Sequence, residues 1–406
     1  TAELSHILDQ ERIPEAPLDA VEYRTITGAE SLALGLVAAG ELADTELMFC
    51  SYPITPASSL LHNLVGLEDA GVATFQAEDE IAAVCAAIGS SYAGKLGVTS
   101  SSGPGIALKA EAIGLGVATE LPLIVVNSQR AGPSTGMPTK TEQSDLYQAV
   151  YGRNGDTPLP VVATRSPADC FDAAIEAVRI ALRHMTPVIL LTDGYIANAS
   201  ELWPLPDLET YPDIETRRPT TQDSGSVFQR NPKTHARLWA APGDERFVHR
   251  IGGIEKDIDS GNISYDAANH QSMTNLRTDK IASVADFIDP QTIDQGRTSG
   301  LAVVAWGSTY GTIFKAVKDA VSAGLNVAHI HIRHISPLPP NLAELLANFD
   351  TVLIPELNNG QLATLIRDRL CIPVQQLNKV TGQPLTVTEV RAAIELYATR
   401  QEQSAG

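Results

Sequence analysis

The chain has few cysteines, and they are too widely spaced to build a metal site. Cys50, Cys85, Cys170 and Cys371 include no Cys-x-x-Cys pair that could begin a zinc or iron–sulfur site. Any cluster that works with this chain must therefore be carried by another chain. Scattered unpaired cysteines, together with the lack of a signal peptide, predict a protein of the reducing cytoplasm.

The sequence also lacks a run of roughly 18 or more apolar residues, which excludes a transmembrane helix. A formal net charge of -19 disfavours binding to nucleic acid or anionic lipid, because both repel an acidic surface. Hydrophobic residues make up 44% and charged residues 19% of the chain, which is a globular balance. These limits favour a soluble protein that acts on a small substrate or a protein partner.

The 406 residues allow two or three domains, at roughly 100 to 200 residues per domain. The pattern predicts a polar N-terminal linker over residues 1–22, α/β domains over 23–200 and 298–406, and a connecting segment over 201–297. In both domains short apolar runs alternate with segments of helical period, which is typical of a parallel sheet. The chain begins at Thr1 rather than Met, which predicts processing or a missing upstream segment.

The predicted strands are short apolar runs, and we expect those of the first domain to be central and buried on both faces. They are Leu47–Tyr52, Val72–Phe75, Gly97–Thr99, Leu121–Val126, Val161–Ala163, Pro187–Thr192, Leu301–Trp306, Val327–Ile332, Thr351–Ile354 and one at Val374. The predicted helices are Ala29–Gly40, Ala57–Gly66, Glu78–Ala93, Ile106–Ala118, Ala168–His184, Thr312–Ala323, Asn341–Asn348, Gln361–Leu370 and Val387–Arg400. The connecting segment shows no regular period, but Trp203, Trp239, Phe247 and Ile251–Ile254 predict contacts with a neighbour rather than disorder.

Two motifs that suggest other chemistry are interpreted as structural. Gly89–Lys95 matches most of a P-loop, but Leu96 replaces the magnesium-binding Ser or Thr, and the predicted helix precedes the glycines instead of following them. His329 and His331 share a strand face without a carboxylate or cysteine beside them, so a structural or interface role is favoured over a metal site. No Gly-x-Gly-x-x-Gly fingerprint of the nicotinamide dehydrogenases occurs.

Polar residues follow the first two predicted strands. In Tyr52–Pro56 two prolines stiffen the turn, so that Thr55 is presented at the carboxyl edge of the sheet, where open α/β sheets bind ligands. The next strand leads into three acids at the start of a helix. We expect Glu78 and Asp79 to act as favourable charge at the helix N-terminus. Small apolar residues follow Glu80, which predicts that it faces the core, where a carboxylate needs a protonatable partner.

Two further features lie at later strand ends. Ser100–Gly105 joins a strand to a helix, and its hydroxyls and amides suit a ligand as well as its Gly and Pro suit a tight turn. Arg130 follows a fully apolar strand and opens the loop Ala131–Lys140. A guanidinium at the sheet edge suits a carboxylate ligand, which Arg binds with two parallel hydrogen bonds, while a surface salt bridge is the alternative.

Taken together, these motifs resemble the α subunits of the 2-oxoacid:ferredoxin oxidoreductases. The resemblance is carried by Tyr52–Pro56, Gln76–Ala83, Ser101–Gly105, Gln129–Gly136, Thr139–Lys140, Pro187–Asp193, Trp306–Gly311 and Pro355–Gly360. Met137–Lys140 after Gly136 is most similar to the 2-oxoglutarate members. The resemblance implies that residues 23–200 form a pyrimidine-type domain that binds thiamine diphosphate, and that residues 298–406 form a domain like the C-terminal domain of transketolase.

The implied activity is the oxidative decarboxylation of 2-oxoglutarate with coenzyme A to succinyl-CoA and CO2, with reduction of ferredoxin. The resemblance implies that Glu80 hydrogen-bonds the pyrimidine N1′ of the cofactor, and that Arg130 and Thr55 anchor the oxoacid. It further implies contacts to the cofactor from Tyr52, Pro53, Ile54, Ser102 and Gly103, and contacts to the substrate from Ser134, Thr135 and Lys140.

The resemblance also implies a β subunit that carries Mg²⁺ and a 4Fe–4S cluster, with no metal on this chain and an (αβ)2 assembly. This chain shows no Gly-Asp-Gly magnesium motif, since Gly155-Asp156 continues to Thr157. Family α chains often carry a further N-terminal domain, and the missing Met fits its absence. Two alternatives stay open. One is the same chemistry on pyruvate or a broad range of 2-oxoacids, and the other is a noncatalytic scaffold subunit of a redox complex.

Overall fold

The computed structural model describes residues 18–223 and 225–404. Most of the predicted N-terminal linker, residues 1–22, therefore lies outside the described residues. Within them the chain forms two α/β units, each built on a mostly parallel sheet with apolar clusters on both faces. The predicted α/β class with two parallel sheets is confirmed.

The first unit contains the strands of residues 23–204. In chain order they are β1 (Tyr23–Thr27), β2 (Leu47–Ser51), β3 (Val72–Gln76), β4 (Leu96–Ser101), β5 (Leu123–Gln129), β6 (Val161–Ala163), β7 (Pro187–Asp193) and β8 (Ser200–Pro204). Strands β2 to β7 run parallel in the spatial order β6–β7–β5–β4–β2–β3, while β1 and β8 form a separate antiparallel ribbon. Each apolar run predicted as a strand in this unit is confirmed, whereas β1 and β8 were not predicted.

The expectation that every predicted strand of this unit is central is wrong for β3. It forms one edge of the sheet, and Ala73, Phe75 and Gln76 are exposed. An edge strand has a neighbour on one side only, so part of its surface stays open to solvent. A short apolar run has the same sequence pattern at the edge and in the centre of a sheet, and therefore does not reveal this difference.

Seven helices belong to the first unit, whose residues 18–223 are all described. They are α1 (Gly28–Leu42), α2 (Ser58–Val65), α3 (Glu80–Tyr92), α4 (Gly103–Thr119), α5 (Leu146–Tyr151), α6 (Cys170–His184) and α7 (Gly194–Asn198). Helices α1, α2 and α6 cover one face of the sheet, and α3, α4 and α5 cover the other. The short helices α5 and α7 were not predicted, because neither is long enough to show a helical period.

The connecting segment packs against this chain's own first unit. Trp239 is 1% exposed, and its indole Nε1 donates to the Ser91 carbonyl at 2.8 Å. Trp203 and Phe247 are buried as well, but Ile254 is 54% exposed, so the expected burial of Ile251–Ile254 is only partly correct. The segment also contains an unpredicted helix, α8 (Ala267–Ala282), which is polar and buries Met273, Leu276, Lys280 and Ile281.

A buried ionic cluster fastens this segment to the end of α4. The Glu120 carboxylate contacts Lys280 at 2.6 Å, Lys256 at 3.1 Å and Arg230 at 2.5 Å. Burial alone would raise the pKa of Glu120, but these three cations lower the pKa well below its usual value. Helices run antiparallel to the strands in this fold, so the C-terminal end of α4 lies at the amino edge of the sheet. The segment is therefore fixed on the side of the sheet opposite to the carboxyl ends of its strands.

The second unit follows the connecting segment. Its strands are β9 (Gln295–Gly296), β10 (Leu301–Ala305), β11 (Val327–His331), β12 (His334–Ser336), β13 (Thr351–Glu356) and β14 (Gln375–Asn378), and its helices are α9 (Tyr310–Ser322), α10 (Leu342–Leu346), α11 (Gln361–Leu370) and α12 (Val387–Ser404). The sheet order is β14–β13–β10–β11–β9, parallel except for β9. The predicted strands and helices are confirmed, although the last strand starts at Gln375 and not at Val374.

The two units are joined by strand pairing, by a common apolar cluster and by hydrogen bonds. Strand β12 lies in the second unit in chain order, but it pairs antiparallel with β6 of the first unit. The first sheet therefore has seven strands. One apolar cluster runs from α3, α4 and α5 through to β10, β11 and β13. In the loop before α5, Gln143 donates to the Trp306 carbonyl at 2.7 Å and accepts from the Leu357 amide at 3.0 Å. The second unit therefore holds a loop of the first in place.

The two histidines and the near P-loop have the structural roles that the sequence predicts for them. His329 and His331 are buried among aromatic rings, and burial lowers the pKa of His329 to about 3. Lys95 of the near P-loop follows α3 and forms an ion pair with Glu46. Across residues 18–223 and 225–404, no helix combines the length and the apolar character needed to cross a membrane.

Candidate active site

The carboxyl ends of β2 and β4 lie at a topological switch point of the first sheet. The connection from β2 leads to β3 on one side, and the connection from β4 leads to β5 on the other. The loops that leave the two strands diverge and open a crevice, which is where open α/β sheets bind ligands. Tyr52–Pro56 follows β2, and Ser102 follows β4, so the sequence motifs at both strand ends meet here.

Three side chains span this crevice. The Tyr52 hydroxyl donates to Glu80 Oε1 at 2.7 Å and lies 2.8 Å from Ser101 Oγ. Tyr52 and Ser101 are buried, and Glu80 is half-buried as the first residue of α3. Burial and the hydrogen bond to Glu80 raise the pKa of Tyr52, so the hydroxyl keeps its proton. The protonatable partner expected for Glu80 within the chain is therefore Tyr52.

The neighbouring acids have the structural roles expected of them. Asp79 is the N-cap of α3, and its carboxylate accepts from the Ala82 amide at 2.8 Å. Glu78 precedes the helix and is exposed. Capping by Asp79 fixes the first turn of α3, and this turn directs Glu80 towards Tyr52.

Gly105 makes this arrangement possible. It lies in the first turn of α4, and a Cβ at this position would overlap Ser101 Oγ and the Tyr52 hydroxyl and lie 3.0 Å from Glu80 Cγ. The backbone of α4 can approach the three side chains this closely only without a Cβ. The Gly and Pro of the Ser100–Gly105 motif therefore serve a tight turn and a polar cluster at the same time.

We expect Gly105→Ala to disturb this cluster. The added methyl group should displace Tyr52 and Ser101 and destabilise the fold by about 1–3 kcal/mol, the usual cost of overpacking. Gly89→Ala in α3 is a matched control, because nothing lies within 4 Å of its added Cβ. In a helix this control should be neutral or stabilising by roughly 0.5–1 kcal/mol. Denaturant unfolding of both variants measures the difference, and equal stability would contradict the close approach at Gly105.

Arg130 lies at the carboxyl end of β5, on the same edge. It is 8% exposed, its Nη1 donates to the Thr55 carbonyl at 2.7 Å, and its Nε has no hydrogen-bond partner. None of the ion pairs formed by the described residues includes Arg130. A salt bridge between Arg130 and another described residue is therefore ruled out, and part of its guanidinium is available to a ligand. Thr55 itself is exposed at the edge of the sheet.

Other buried polar atoms near this edge are unpaired. Ser102 Oγ and Asn127 Oδ1 have no hydrogen-bond partner, although both side chains are buried. Buried polar atoms are normally hydrogen-bonded. Together with Arg130 Nε, they present a donor–acceptor set at the ends of β4 and β5 that suits a polar ligand.

Sequence reasoning missed Asp145, which lies among these groups. Its carboxylate accepts from Asn127 Nδ2 at 3.2 Å, and a Cβ on Gly103 would lie 2.7 Å from Asp145 Oδ1. Burial raises the pKa of Asp145 to about 6, and Glu142 adds to the rise, while Asn127 and Arg130 oppose it. In sequence Asp145 has the pattern of an ordinary helix-capping acid before an apolar run, and only the folded loop brings it to this site.

An open cleft of about 740 Å³ adjoins this edge. Thr55, His62 and Lys140 line it, together with Gly382 and Gln383 from the second unit. The structure thus brings Lys140 and Thr55 to one cleft. It does not bring Ser134 and Thr135 there, since both are exposed elsewhere on the loop.

The remaining predicted contacts to a cofactor lie on the β2 and β4 turns. Pro53 is exposed, and Ile54 is half-buried against the cluster of Tyr52 and Ala83. Gly103 is the first residue of α4 and is buried. All of the predicted cofactor contacts therefore lie around the switch point. No group of three or more His, Cys, Asp or Glu that could hold a metal ion occurs in the described part of the chain.

Comparison with known proteins gives consistent matches. The family model described as pyruvate flavodoxin/ferredoxin oxidoreductase, thiamine diphosphate-binding, matches residues 41–264. The chain is 50% identical over 378 residues to the 2-oxoglutarate oxidoreductase subunit KorA of Mycobacterium tuberculosis, covering 93% of this chain and 58% of that protein. It is 31% identical to the 2-oxoglutarate synthase subunit KorA of Archaeoglobus fulgidus, covering 86% of this chain and 92% of that protein.

The chain is also similar to solved structures. The 2-oxoglutarate:ferredoxin oxidoreductase from Magnetococcus marinus, with 2-oxoglutarate, coenzyme A and succinyl-CoA bound, superposes with a TM-score of 0.90 at 31% identity, covering 98% of this chain and 69% of that chain. A split-gene transketolase superposes with a TM-score of 0.51 at 13% identity, covering 92% of this chain and 98% of that chain, which shows a shared fold.

Proposed function

The chain belongs to the pyruvate flavodoxin/ferredoxin oxidoreductase family of thiamine-diphosphate-binding proteins, and from this membership we propose that it is the α subunit of a 2-oxoglutarate:ferredoxin oxidoreductase. The proposed reaction converts 2-oxoglutarate and coenzyme A to succinyl-CoA and CO2 and reduces ferredoxin. We assign residues 23–200 to the pyrimidine-binding domain, 201–297 to the connecting segment and 298–406 to the transketolase-like domain. The N-terminal linker of residues 1–22 completes this division.

One observation carries the proposal. The turn after β2 holds both an acid and a cation at the switch point, because the Tyr52 hydroxyl bonds Glu80 at 2.7 Å and the Thr55 carbonyl bonds Arg130 at 2.7 Å. A half-buried carboxylate suits a ring nitrogen of a cofactor, and a guanidinium with a free Nε suits a carboxylate substrate. The two groups are thus fixed relative to each other by five consecutive residues, Tyr52–Pro56.

The residues around Glu80 fit the pyrimidine end of thiamine diphosphate. Glu80 would bond a ring nitrogen, Tyr52 would hold the carboxylate in position, and the unpaired Ser102 Oγ would supply a further polar contact. Pro53, Ile54 and Gly103 complete the proposed contacts. When bound, the cofactor supplies a nucleophilic carbon and an electron sink for decarboxylation.

The residues on the other side of the turn fit an oxoacid. Arg130 would bind the carboxylate beside the oxo group, and Thr55 would orient that group, holding the reacting atoms in a productive geometry. Lys140 in the adjoining cleft would attract a second carboxylate, which 2-oxoglutarate has and pyruvate lacks. Ser134 and Thr135 are proposed as further contacts, which requires the exposed loop to move towards the substrate.

We assign the rest of the catalytic apparatus to a β subunit. The similar proteins are named as subunits, which supports an assembly with a partner, and we propose an (αβ)2 complex. The β chain would hold the diphosphate, Mg²⁺ and a 4Fe–4S cluster. In support, the near-motif Gly155-Asp156-Thr157 precedes β6 and so lies at the amino edge of the sheet, away from the switch point.

The test is an assay of the chain coexpressed with its β partner. We expect dye reduction that depends on coenzyme A, with 2-oxoglutarate preferred over pyruvate and other 2-oxoacids. Calorimetry should show tight binding of thiamine diphosphate to the complex and weak binding to the isolated chain, because the charged diphosphate needs the magnesium site of the partner. Equal use of all 2-oxoacids would favour a broad-range enzyme. No turnover by an assembled, cofactor-loaded complex would favour a scaffold subunit.

A further inference from the structure

A lysine is buried directly behind the Tyr52–Glu80 pair. Lys109 lies in α4 and is 0% exposed, and its Nζ donates to Thr99 Oγ1 at 2.7 Å. The same ammonium group lies 5.4 Å from the centre of the Tyr52 ring, within range of a cation–π interaction. The cation is thus fixed between β4 and the tyrosine that bonds Glu80.

The other buried lysines of the chain are paired with an acid. Lys256 and Lys280 contact the Glu120 carboxylate at 3.1 Å and 2.6 Å. Lys109 takes part in none of the ion pairs formed by the described residues, and its described polar contact is a neutral hydroxyl. Burying an ammonium group without an acid partner costs free energy, and an apolar side chain would avoid this cost. The charge of Lys109 therefore has a different use from that of the structural lysines.

The nearest acids indicate what that use is. Burial lowers the pKa of Lys109 to about 8, and the charge of Glu80 is the main influence that opposes this decrease. The other ionisable groups around the ammonium group are Cys50 on β2, Asp79 at the N-cap of α3 and Cys85 within α3. Asp79 is exposed and occupied as a helix cap, and burial keeps Cys50 protonated by raising its pKa. Glu80 is thus the half-buried carboxylate that the cation serves.

We propose that Lys109 is a positioning residue for Glu80: it supports the Tyr52 ring from behind, and the Tyr52 hydroxyl in turn holds the Glu80 carboxylate directed at the cofactor. This inference rests on the proposed function of Glu80. Lys109 would thus contribute to the reaction from within α4, although it is fully buried. Because the ammonium group loses its proton above about pH 8, its cation–π support of the Tyr52 ring should disappear as the pH rises through that value.

The test uses Lys109→Met and Lys109→Gln in the αβ complex. Met fills the same space without charge, and Gln keeps a donor for Thr99, so at least one variant should fold. At pH 7 we expect turnover to fall about tenfold, which corresponds to roughly 1.4 kcal/mol of lost transition-state stabilisation, because Tyr52 and Glu80 are no longer held in place. The wild-type kcat/KM profile should fall on the alkaline side with a midpoint near pH 8, and this fall should be absent from both variants. A limb due to the thiol of coenzyme A would persist in the variants.

Two further measurements exclude a merely structural role. Lys280→Met removes a buried ammonium group far from the crevice, so it should lower the melting temperature and leave the pH profile unchanged. The near-ultraviolet circular dichroism of bound thiamine diphosphate should change with a midpoint near pH 8 in the wild type and not in the Lys109 variants. Wild-type turnover and an unchanged profile in both folded variants would overturn the proposal alone. A wild-type complex that binds no thiamine diphosphate would overturn the proposed function as well.

Discussion

Replacing Glu80 by Gln should reduce turnover of the assembled enzyme by on the order of 10²- to 10⁴-fold, the range that positioned proton-transfer groups contribute. An amide has nearly the same shape as a carboxylate but does not attract a proton to the ring nitrogen it contacts. The reaction would therefore lose the group that shifts protons on the cofactor, while the cofactor itself could still bind. The loss should appear in kcat and in kcat/KM alike, because the interaction is needed in the transition state.

The fold should survive this change. Glu80 is half-buried, and the Tyr52 hydroxyl, which donates at 2.7 Å, would find the amide oxygen of Gln in the same place. Glu78→Gln is the matched control, because Glu78 is exposed, lies two residues before Glu80 in the chain and precedes the helix. It removes the same charge from the same region and should leave turnover nearly unchanged. A Glu80→Gln complex with activity close to the wild type would remove Glu80 from the catalytic machinery.

The strand ends were predictable because they depend on local sequence. A run of apolar residues such as Leu123–Val126 identifies a buried strand, and the polar residue that follows must lie at the sheet edge. The carboxyl ends of parallel strands share one edge, so the sequence places Thr55 and Arg130 together there, whereas Glu80 is assigned to the same site by the family resemblance. Their joint contact with a single turn was not predictable, since it depends on the spatial order of the strands.

The groups that were missed depend on contacts between distant parts of the chain. Asp145 has the local pattern of a helix cap, yet Gln143 in the same loop is bonded to Trp306 and Leu357 of the second unit, and these contacts set the position of the loop. Lys109 interrupts an apolar helix, which in sequence is compatible with an exposed position. Only the packing of α4 against β4 and Tyr52 shows that it is fully buried.

Helix α8 of the connecting segment was missed for a related reason. Helix α8 is held by tertiary contacts more than by its own composition, since few of its residues are apolar and it buries a lysine through an ion pair with Glu120 at 2.6 Å. Such a helix has no clear apolar stripe, and its sequence pattern is therefore close to that of an irregular segment. Its N-cap, Asp266, was the available signal, because its side chain accepts from the Asn269 amide at 2.8 Å.

Replacing Arg130 by Lys should raise the Michaelis constant for 2-oxoglutarate by about tenfold or more, with each factor of ten corresponding to roughly 1.4 kcal/mol. Lysine keeps the positive charge but loses the planar fork that binds a carboxylate through two hydrogen bonds. The present structure sharpens this expectation, because Nη1 is already committed to the Thr55 carbonyl at 2.7 Å while Nε is unpaired. A single ammonium group cannot bond that carbonyl and also present a fork to the substrate.

Kinetics can distinguish the loss of a substrate anchor at Arg130 from a structural distortion of the Thr55 turn. If Arg130 anchors the oxoacid, the Michaelis constant for 2-oxoglutarate should rise while that for coenzyme A stays close to the wild-type value, and misalignment would lower kcat as well. Distortion of the Thr55 turn alone would lower kcat without this selective rise. Arg246→Lys is the matched control, because Arg246 forms an exposed ion pair with Asp244 at 2.7 Å, a type of contact that contributes only about 0–1 kcal/mol. Steady-state kinetics with saturating coenzyme A should therefore show no change for Arg246→Lys, and equally unchanged constants for Arg130→Lys would remove Arg130 from the substrate site.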